Sequence, residues 1–341
     1  MFTAKYLAGI TLITSLLLSC GKDKDYNVKG DSQVKFFTNV TNTGNAPVNS
    51  MSYGVVNIPG TGTGLTNLST TLPATVKIPV FATAPVSEDV TIGASLDNSL
   101  IAKYNESRGT SYEAFPANVL NTSNLTAKIL KGSSTSSDSI SIPVDLSTVN
   151  TLSSKAYIAP IRLTTVSNNQ AGTITTNLES QVIYVVADME LRRIKYLATT
   201  ADIIGSLISS RTNWTASFSP APTTSGSIFD GSTTTYTRWS SSPAQLDVNM
   251  QDTKNVTGIR LYTTNSATLI PTQITVSLSN DGINYDVVGS PLRANLTYAS
   301  SYNYILFYRP IAAKYIRLGL TYSTSTNTQN FRVTEFDVYA N

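Results

Sequence analysis

The chain contains no histidine, and that absence removes several chemistries at once. A Ser-His-Asp triad, a histidine-ligated zinc site and a histidine general base all need an imidazole. The single cysteine is Cys20. The rest of the chain therefore has no thiol for a disulfide, a Cys-rich metal site or a cysteine nucleophile, and its stability must come from burial. Charge is also scarce: Asp, Glu, Lys and Arg make up 13% and the net charge is +3. Lys22, Lys24 and Lys29 are balanced by Asp23, Asp25 and Asp31, so no basic stripe suits a phosphate backbone, and nucleic acid is not expected as a partner. No glycine-rich phosphate loop leads from a strand into a helix. After the first eighteen or so residues there is no apolar run long enough to cross a bilayer.

What the chain does have is 341 residues, of which 41% are hydrophobic. That is enough for two domains with real cores, under a surface dominated by Ser, Thr and Asn. The N-terminus reads as an export signal over residues 1–19. Lys5 supplies the positive start, and Leu7 to Leu18 supply an apolar stretch too short to span a membrane. The stretch ends in Leu17-Leu18-Ser19-Cys20-Gly21, which resembles the bacterial lipobox and implies lipidation at Cys20. The alternative is a plain secretory peptide that contains a cysteine. Several acyl chains would hold the protein on a membrane, with residues 20–33 as a flexible tether. Acidic residues just after the cysteine resemble the surface-export signals of Gram-negative glycan-degrading bacteria. They imply an outer-membrane anchor facing the cell exterior.

Short β-rich segments separated by turn residues follow, as in an antiparallel sandwich. They are Val34–Phe37, Val76–Phe81, Val90–Ser95, Ala127–Leu130, Ser139–Val144, Tyr157–Leu163 and Val182–Val186. Proline inside several of them, Pro160 included, points to edge strands or bulges. One segment breaks the pattern: Leu100 to Arg108 can form a helix that stops at Gly109. The run Tyr104-Asn105, Gly109, Tyr112 and Pro116, then a strand and Lys131-Gly132, resembles an N-terminal domain of unassigned function on surface lipoproteins of polysaccharide-utilisation systems. That resemblance covers residues 34–187 and implies an immunoglobulin-like sandwich with a short helical insertion. Residues 188–210, including the charged run Glu190 to Lys195, read as a linker.

Four segments then occur in a fixed order. They are Ser227-Ile228-Phe229-Asp230-Gly231 running to Trp239, Ser279-Asn280-Asp281-Gly282-Ile283-Asn284-Tyr285, Lys314-Tyr315-Ile316-Arg317-Leu318, and Arg332 to Tyr339 around Glu335-Phe336. With Trp214-Thr215-Ala216-Ser217 ahead of them, they resemble the discoidin, or factor V/VIII C-terminal type, domain over residues 211–341. The resemblance implies a second antiparallel β-sandwich, a jelly roll, and so an all-β fold class for the whole chain. It also implies carbohydrate recognition, with Trp214, Trp239 and Tyr285 packing the sandwich. In sugar-binding members the Phe-Asp-Gly turn often joins a structural calcium ion, which here would take Asp230, Thr235 and Glu335. Calcium needs six to eight oxygens, and Ser232 stands where the family usually offers Asp or Asn. The alternative is that Asp230 caps its turn and Glu335 pairs with an arginine.

Glycan contacts are expected in two polar loops at one end of the jelly roll. One holds Asn265; the other holds Tyr322, Asn327, Gln329 and Asn330. Tyr322 would supply a stacking face and the amides would bond sugar hydroxyls. An ordinary solvated connection is the competing reading of such loops. A glycosidase needs only two carboxyl groups, but most acids here sit in turns and neither resembled domain is catalytic, so the chain is not expected to be an enzyme. The reading is a surface lipoprotein that captures oligosaccharide or polysaccharide for a neighbouring transporter or hydrolase. Its rivals are an adhesion protein that binds a protein or cell-wall polymer, and a hydrolase accessory.

Overall fold

Strands in this protein arise from two burial patterns, and each pattern marks a different place in a sheet. The computed structural model describes residues 33–39, 49–60, 62–152, 155–263, 271–299, 302–322 and 331–341. Within it, Ala244 to Met250 alternates buried Ala, Leu, Val and Met with half-buried Gln, Asp and Asn, the period of two of a sheet with one face on a core. Tyr157–Val166 and Val182–Leu191 instead carry nearly unbroken buried runs, as strands covered on both faces do.

Those two strands are central to the N-terminal domain. Among the described residues its main sheet runs Leu65–Thr70, Ser50–Pro59, Val182–Leu191, Tyr157–Val166, Val90–Leu96, Thr126–Ile129. Ser50–Pro59 lies parallel to Val182–Leu191; the other neighbours along this path are antiparallel. The smaller pairings are Thr75–Ile78 with Ile140–Pro143, and Lys35–Phe37 between Thr173–Ile174 and Phe81–Ala82. Phe36, Val76, Ile78, Ile92, Ile129, Ile140 and Val185 fill one core together with Ala159, Ile161 and Leu163. The intervening Ile158 and Val186 belong to a separate cluster with Tyr104 of helix α1, Leu100–Arg108. One sheet face therefore meets the core and the other meets the helix.

Helix α1 starts and stops for local reasons. The Asp97 carboxylate accepts from Ser99 N–H at 3.3 Å and from its hydroxyl at 2.5 Å. At the other end Gly109 takes the left-handed conformation, φ 63°, which glycine adopts without strain. Two expectations need correction. Val76–Phe81 is not one strand but two short ones, Thr75–Ile78 and Phe81–Ala82, parted at Pro79, which cannot donate to a ladder. Pro160 lies in a central strand, not at an edge. Its carbonyl accepts from Asp97 N–H at 2.9 Å, just where Val90–Leu96 ends, so the missing donor falls opposite a strand end.

In the C-terminal domain the sheet path is Ser206–Leu207, Phe331–Ala340, Ala244–Thr263, Tyr302–Thr321, Gln273–Ser279, Asp286–Gly289. The two longest strands serve both layers of the sandwich. Ala244 to Asn249 pairs with Tyr315 to Leu320; the register then shifts between Asn249 and Lys254, and the remainder pairs with Tyr302 to Ala313. The layers close over Trp239, Leu246, Val248, Ile259, Leu261, Ile305, Phe307, Ile316, Leu318 and Phe336.

The segment read as a linker is tied down at both ends. Val182–Leu191 completes the N-terminal sheet, and Arg192 N–H still donates to Asn57 at 2.8 Å. The next residue already belongs to the other domain: the Arg193 carbonyl accepts from Tyr308 N–H at 3.0 Å. Ile194 is buried in the C-terminal core, where a side chain at Gly289 would meet its Cδ1 at 3.0 Å. The charges that suggested a solvated joint have local partners. Arg192 holds Glu190 through two bonds of 2.8 and 3.0 Å and lies over the Tyr196 ring at 4.0 Å.

Candidate functional site

Strand pairing brings the strand ends that flank the two polar loops to one end of the C-terminal sandwich. Thr263 lies opposite Val333, Gln273 opposite Thr321, and Trp239 opposite Phe331. Thr272 N–H closes the base with a 2.7 Å bond to the Thr321 carbonyl. Segments 264–270 and 323–330 therefore leave from neighbouring strand ends. Asn265, Asn327, Gln329 and Asn330 lie outside the described residues.

Tyr322 is described, and its position corrects its expected role. It is 2% exposed and belongs to the core. Burial pushes its phenol far above the usual tyrosine range. The reason is strand parity: Ile316, Leu318 and Leu320 face inward, and Tyr322 is the next inward position. Its backbone N–H donates to the Ser242 hydroxyl at 3.0 Å. A ring so placed has no face to offer a sugar. The half-buried ring next to a loop is Tyr262, one residue before Thr263. It meets Tyr302 edge-on at 4.7 Å, and the Arg260 guanidinium covers the Tyr302 ring at 4.4 Å. The signal was available in the outward parity of Arg260 and Tyr262 between buried Ile259, Leu261 and Thr263.

The Asp230 turn is built by the side chains that were expected to gather there. Asp230 accepts from Ser232 N–H at 2.9 Å and from the Thr235 hydroxyl at 2.8 and 3.0 Å. Those bonds hold its carboxyl below the usual range, the Ser232 N–H contributing most. Glu335 reaches the same turn, accepting from Gly231 N–H at 2.6 Å. Its other oxygen accepts from Arg211 Nη1 at 2.7 Å, and the same nitrogen donates to Asp337 at 2.8 Å. Arg260 completes the network on Asp337, with its Nε at 2.8 Å. Burial raises the Glu335 pKa, and Arg211 opposes the rise.

These groups do not fit a calcium ion as arranged. Both Glu335 oxygens already face N–H donors, one of them a guanidinium that would repel a cation, and the Glu335 carboxyl also meets the Asp230 carboxyl. Calcium wants six to eight oxygens, and among the described residues no group of three or more His, Cys, Asp or Glu is placed to hold a metal. The observed arrangement is a capped turn and a buried ion pair. That is the alternative stated for these residues, but the arginine was not named: Arg211 lies 124 residues from Glu335, and no local pattern links the two.

The remaining aromatic residues mainly pack. Trp239 is fully buried and donates to the Pro220 carbonyl at 3.2 Å. Trp214 is half-buried, with its ring edge-on to Phe229 at 5.7 Å. Tyr285 is half-buried beneath Arg317, 3.8 Å from its ring centre, and Arg317 holds Asp247 with bonds of 2.7 and 3.1 Å. The Asp281 turn is self-contained. Its carboxylate accepts from Ile283 N–H, Asn284 N–H and the Asn284 amide, each at 2.8 Å, and these bonds push its pKa well below the usual range.

Residues 208–335 match the family model of the F5/8 type C domain. The C-terminal part of this two-domain protein is an F5/8 type C domain. Residues 26–170 match a second family model, described as an N-terminal domain. A solved two-domain protein of unknown function from Bacteroides fragilis is similar across 96% of this chain and 98% of its own, with 16% identity and a TM-score of 0.52. That likeness carries the two-domain fold. Over the F5/8 type C domain, a family 32 carbohydrate-binding module from C. perfringens, solved with galactose, is 19% identical. It covers 40% of this chain and 99% of its own, with a TM-score of 0.34. A chitosan-binding module of a chitosanase/glucanase from Paenibacillus is 24% identical over 38% of this chain and 97% of its own, with a TM-score of 0.32. No curated protein matches the chain. The comparisons identify no catalytic domain.

Proposed function

We propose that the protein is a non-catalytic surface lipoprotein whose F5/8 type C domain captures oligosaccharide or polysaccharide for a neighbouring transporter or hydrolase. The observation that carries this reading is that two segments rich in hydroxyl and amide residues leave from neighbouring strand ends of an F5/8 type C sandwich. The solved modules with similar sequences include one with galactose and one that binds chitosan, which supports a saccharide as the ligand class. Asn265, Asn327, Gln329 and Asn330 supply the bonds to sugar hydroxyls, and Tyr262 replaces Tyr322 as the nearby ring. The anchor is the lipidated Cys20 in the outer membrane.

The test is retardation of the full chain in native gels cast with neutral polysaccharides, run beside an assay for released sugars. Retardation without product supports capture. Product formation would make the protein an enzyme. No retardation on any glycan, with retention instead on a protein or cell-wall polymer, would replace capture with adhesion.

A further inference from the structure

The N-terminal domain, to which no ligand is assigned, contains a cavity of about 280 Å³ between helix α1 and the main sheet, and its lining is chemically specific. Lys103, Tyr104, Ser107 and Arg108 line it from the helix. Lys103 with Ser107 and Tyr104 with Arg108 are each four residues apart, which puts them along one side of the helix. Leu178 and Glu179, from the four-residue helix α2 (Leu178–Gln181), and Tyr184 close it from the sheet side. Tyr104 and Tyr184 lie ring to ring, 4.5 Å between centroids. Burial raises both phenols, and the Arg108 charge opposes the rise in each case.

The two cations of the lining are not held in ion pairs. Among the described residues neither Lys103 nor Arg108 forms an ion pair. The nearby Arg162 differs, because its charge is taken by Asp97 at 3.3 Å. Glu179 is the one carboxylate in the lining; outside it, Asp188 acts on Tyr104 and Asp97 on Tyr184, and Asp97 is already paired with Arg162. We propose that this cavity is a second saccharide site, for a single sugar ring bearing a carboxylate or sulfate. Lys103 and Arg108 take the anionic group, since charge-assisted bonds to guanidinium and ammonium are the strong ones. The half-buried Tyr184 supplies an apolar wall for the ring, with the buried Tyr104 packed against it, and Glu179 accepts from ring hydroxyls, a role a bare inorganic anion would not use. Binding pockets for drug-sized molecules begin at roughly 300 Å³, so the volume suits one ring with the rest of a chain outside. The site stands apart from the F5/8 type C loops and does not depend on them.

The experiment uses the full chain with tyrosine rings isotope-labelled, titrated with galacturonate, glucose 6-sulfate, glucose, acetate and inorganic sulfate. The expected result is that one or both acidic sugars shift the Tyr104 and Tyr184 signals, glucose binds at least about tenfold more weakly, and added salt weakens binding. Which acidic sugar binds identifies the anionic group. Lys103→Gln and Arg108→Gln should each weaken binding about tenfold. Both side chains are exposed, so the melting transition should be unchanged; if Arg108→Gln lowers it, Lys103→Gln alone is decisive. Acidic-sugar binding that persists in both variants would overturn the proposal. So would no shift with any acidic sugar, or acetate and sulfate ion binding as well as the sugars. Loss of neutral-glycan binding through the 264–270 and 323–330 loops leaves it standing, because that binding reads the other domain.

Discussion

Replacing Arg211 with Met keeps most of the side-chain volume and removes the charge that holds Glu335 and Asp337. The three side chains are 13%, 4% and 5% exposed, so solvent screening is slight. Breaking a buried pair from one side costs about 3–5 kcal/mol. The lower end applies here, because Asp337 keeps Arg260 at 2.7 Å and Glu335 keeps Gly231 N–H at 2.6 Å. At about 3 °C per kcal/mol for a domain of this size, the transition of the F5/8 type C domain should fall by roughly 9 °C. The pH dependence separates a charge effect from lost packing. Glu335 has its folded pKa raised above 4.5 by burial, with Arg211 opposing. Its favourable contribution is therefore full below the unfolded value and is lost as pH rises through the folded value. Without Arg211 the folded pKa rises further, so the deficit of the variant should be largest at neutral pH and shrink as pH falls toward 4.5. Scanning calorimetry of both proteins across that range measures it. A deficit under about 1 kcal/mol at neutral pH, or one independent of pH, would refute the buried-network account.

Calcium and chelator should each leave the melting transition of the wild-type chain unchanged, because Arg211 already occupies the Glu335 carboxylate; a calcium-dependent rise would reinstate an ion at Asp230, Thr235 and Glu335. Cys20→Ala should move the protein out of the membrane fraction and abolish fatty-acid labelling, and labelling that persists would remove the anchor. Asp97, Asp230 and Asp281 are held below 3.8 by hydrogen bonds to their charged forms. Their contributions are present above that value and are lost as pH falls through the lower folded values, so acid titration of the melting temperature should show a decline below about 3.8.

The features readable in the sequence are those set by neighbours along the chain. Helix α1 announced itself through Gly109, which alone could take φ 63° cheaply, and the Asp281-Gly282 turn through its own side-chain bonds. Trp239 was read correctly as packing because its motif context was recognised. Features set by distant partners were not readable. Pro160 looked like an edge residue because the end of Val90–Leu96 at Asp97 is a fact about another strand. Arg211 gave no sign of its bond to Glu335, and the run Glu190 to Lys195 read as a linker because Ile194 finds its core only across the domain junction. Tyr322 shows the limit most clearly: a tyrosine beside a polar loop reads as exposed until the register of Tyr302–Thr321 assigns its parity.

The central claim is that neutral glycan binds at the loop end of the F5/8 type C domain, and titration of loop variants tests it most directly. Glycans that retard the wild-type chain would be titrated against the full chain, Asn265→Ala, Asn327→Ala with Gln329→Ala, and Tyr262→Ala, each at low and high salt. Hydrogen bonds to uncharged hydroxyls are worth roughly 0.5–1.5 kcal/mol net each, so each amide change should weaken binding about two- to tenfold, the double change more, and salt should matter little. Tyr262→Ala should cost more than a single amide. Undiminished binding in all of these variants would place the site elsewhere, and binding that collapses with salt would contradict a neutral-glycan module.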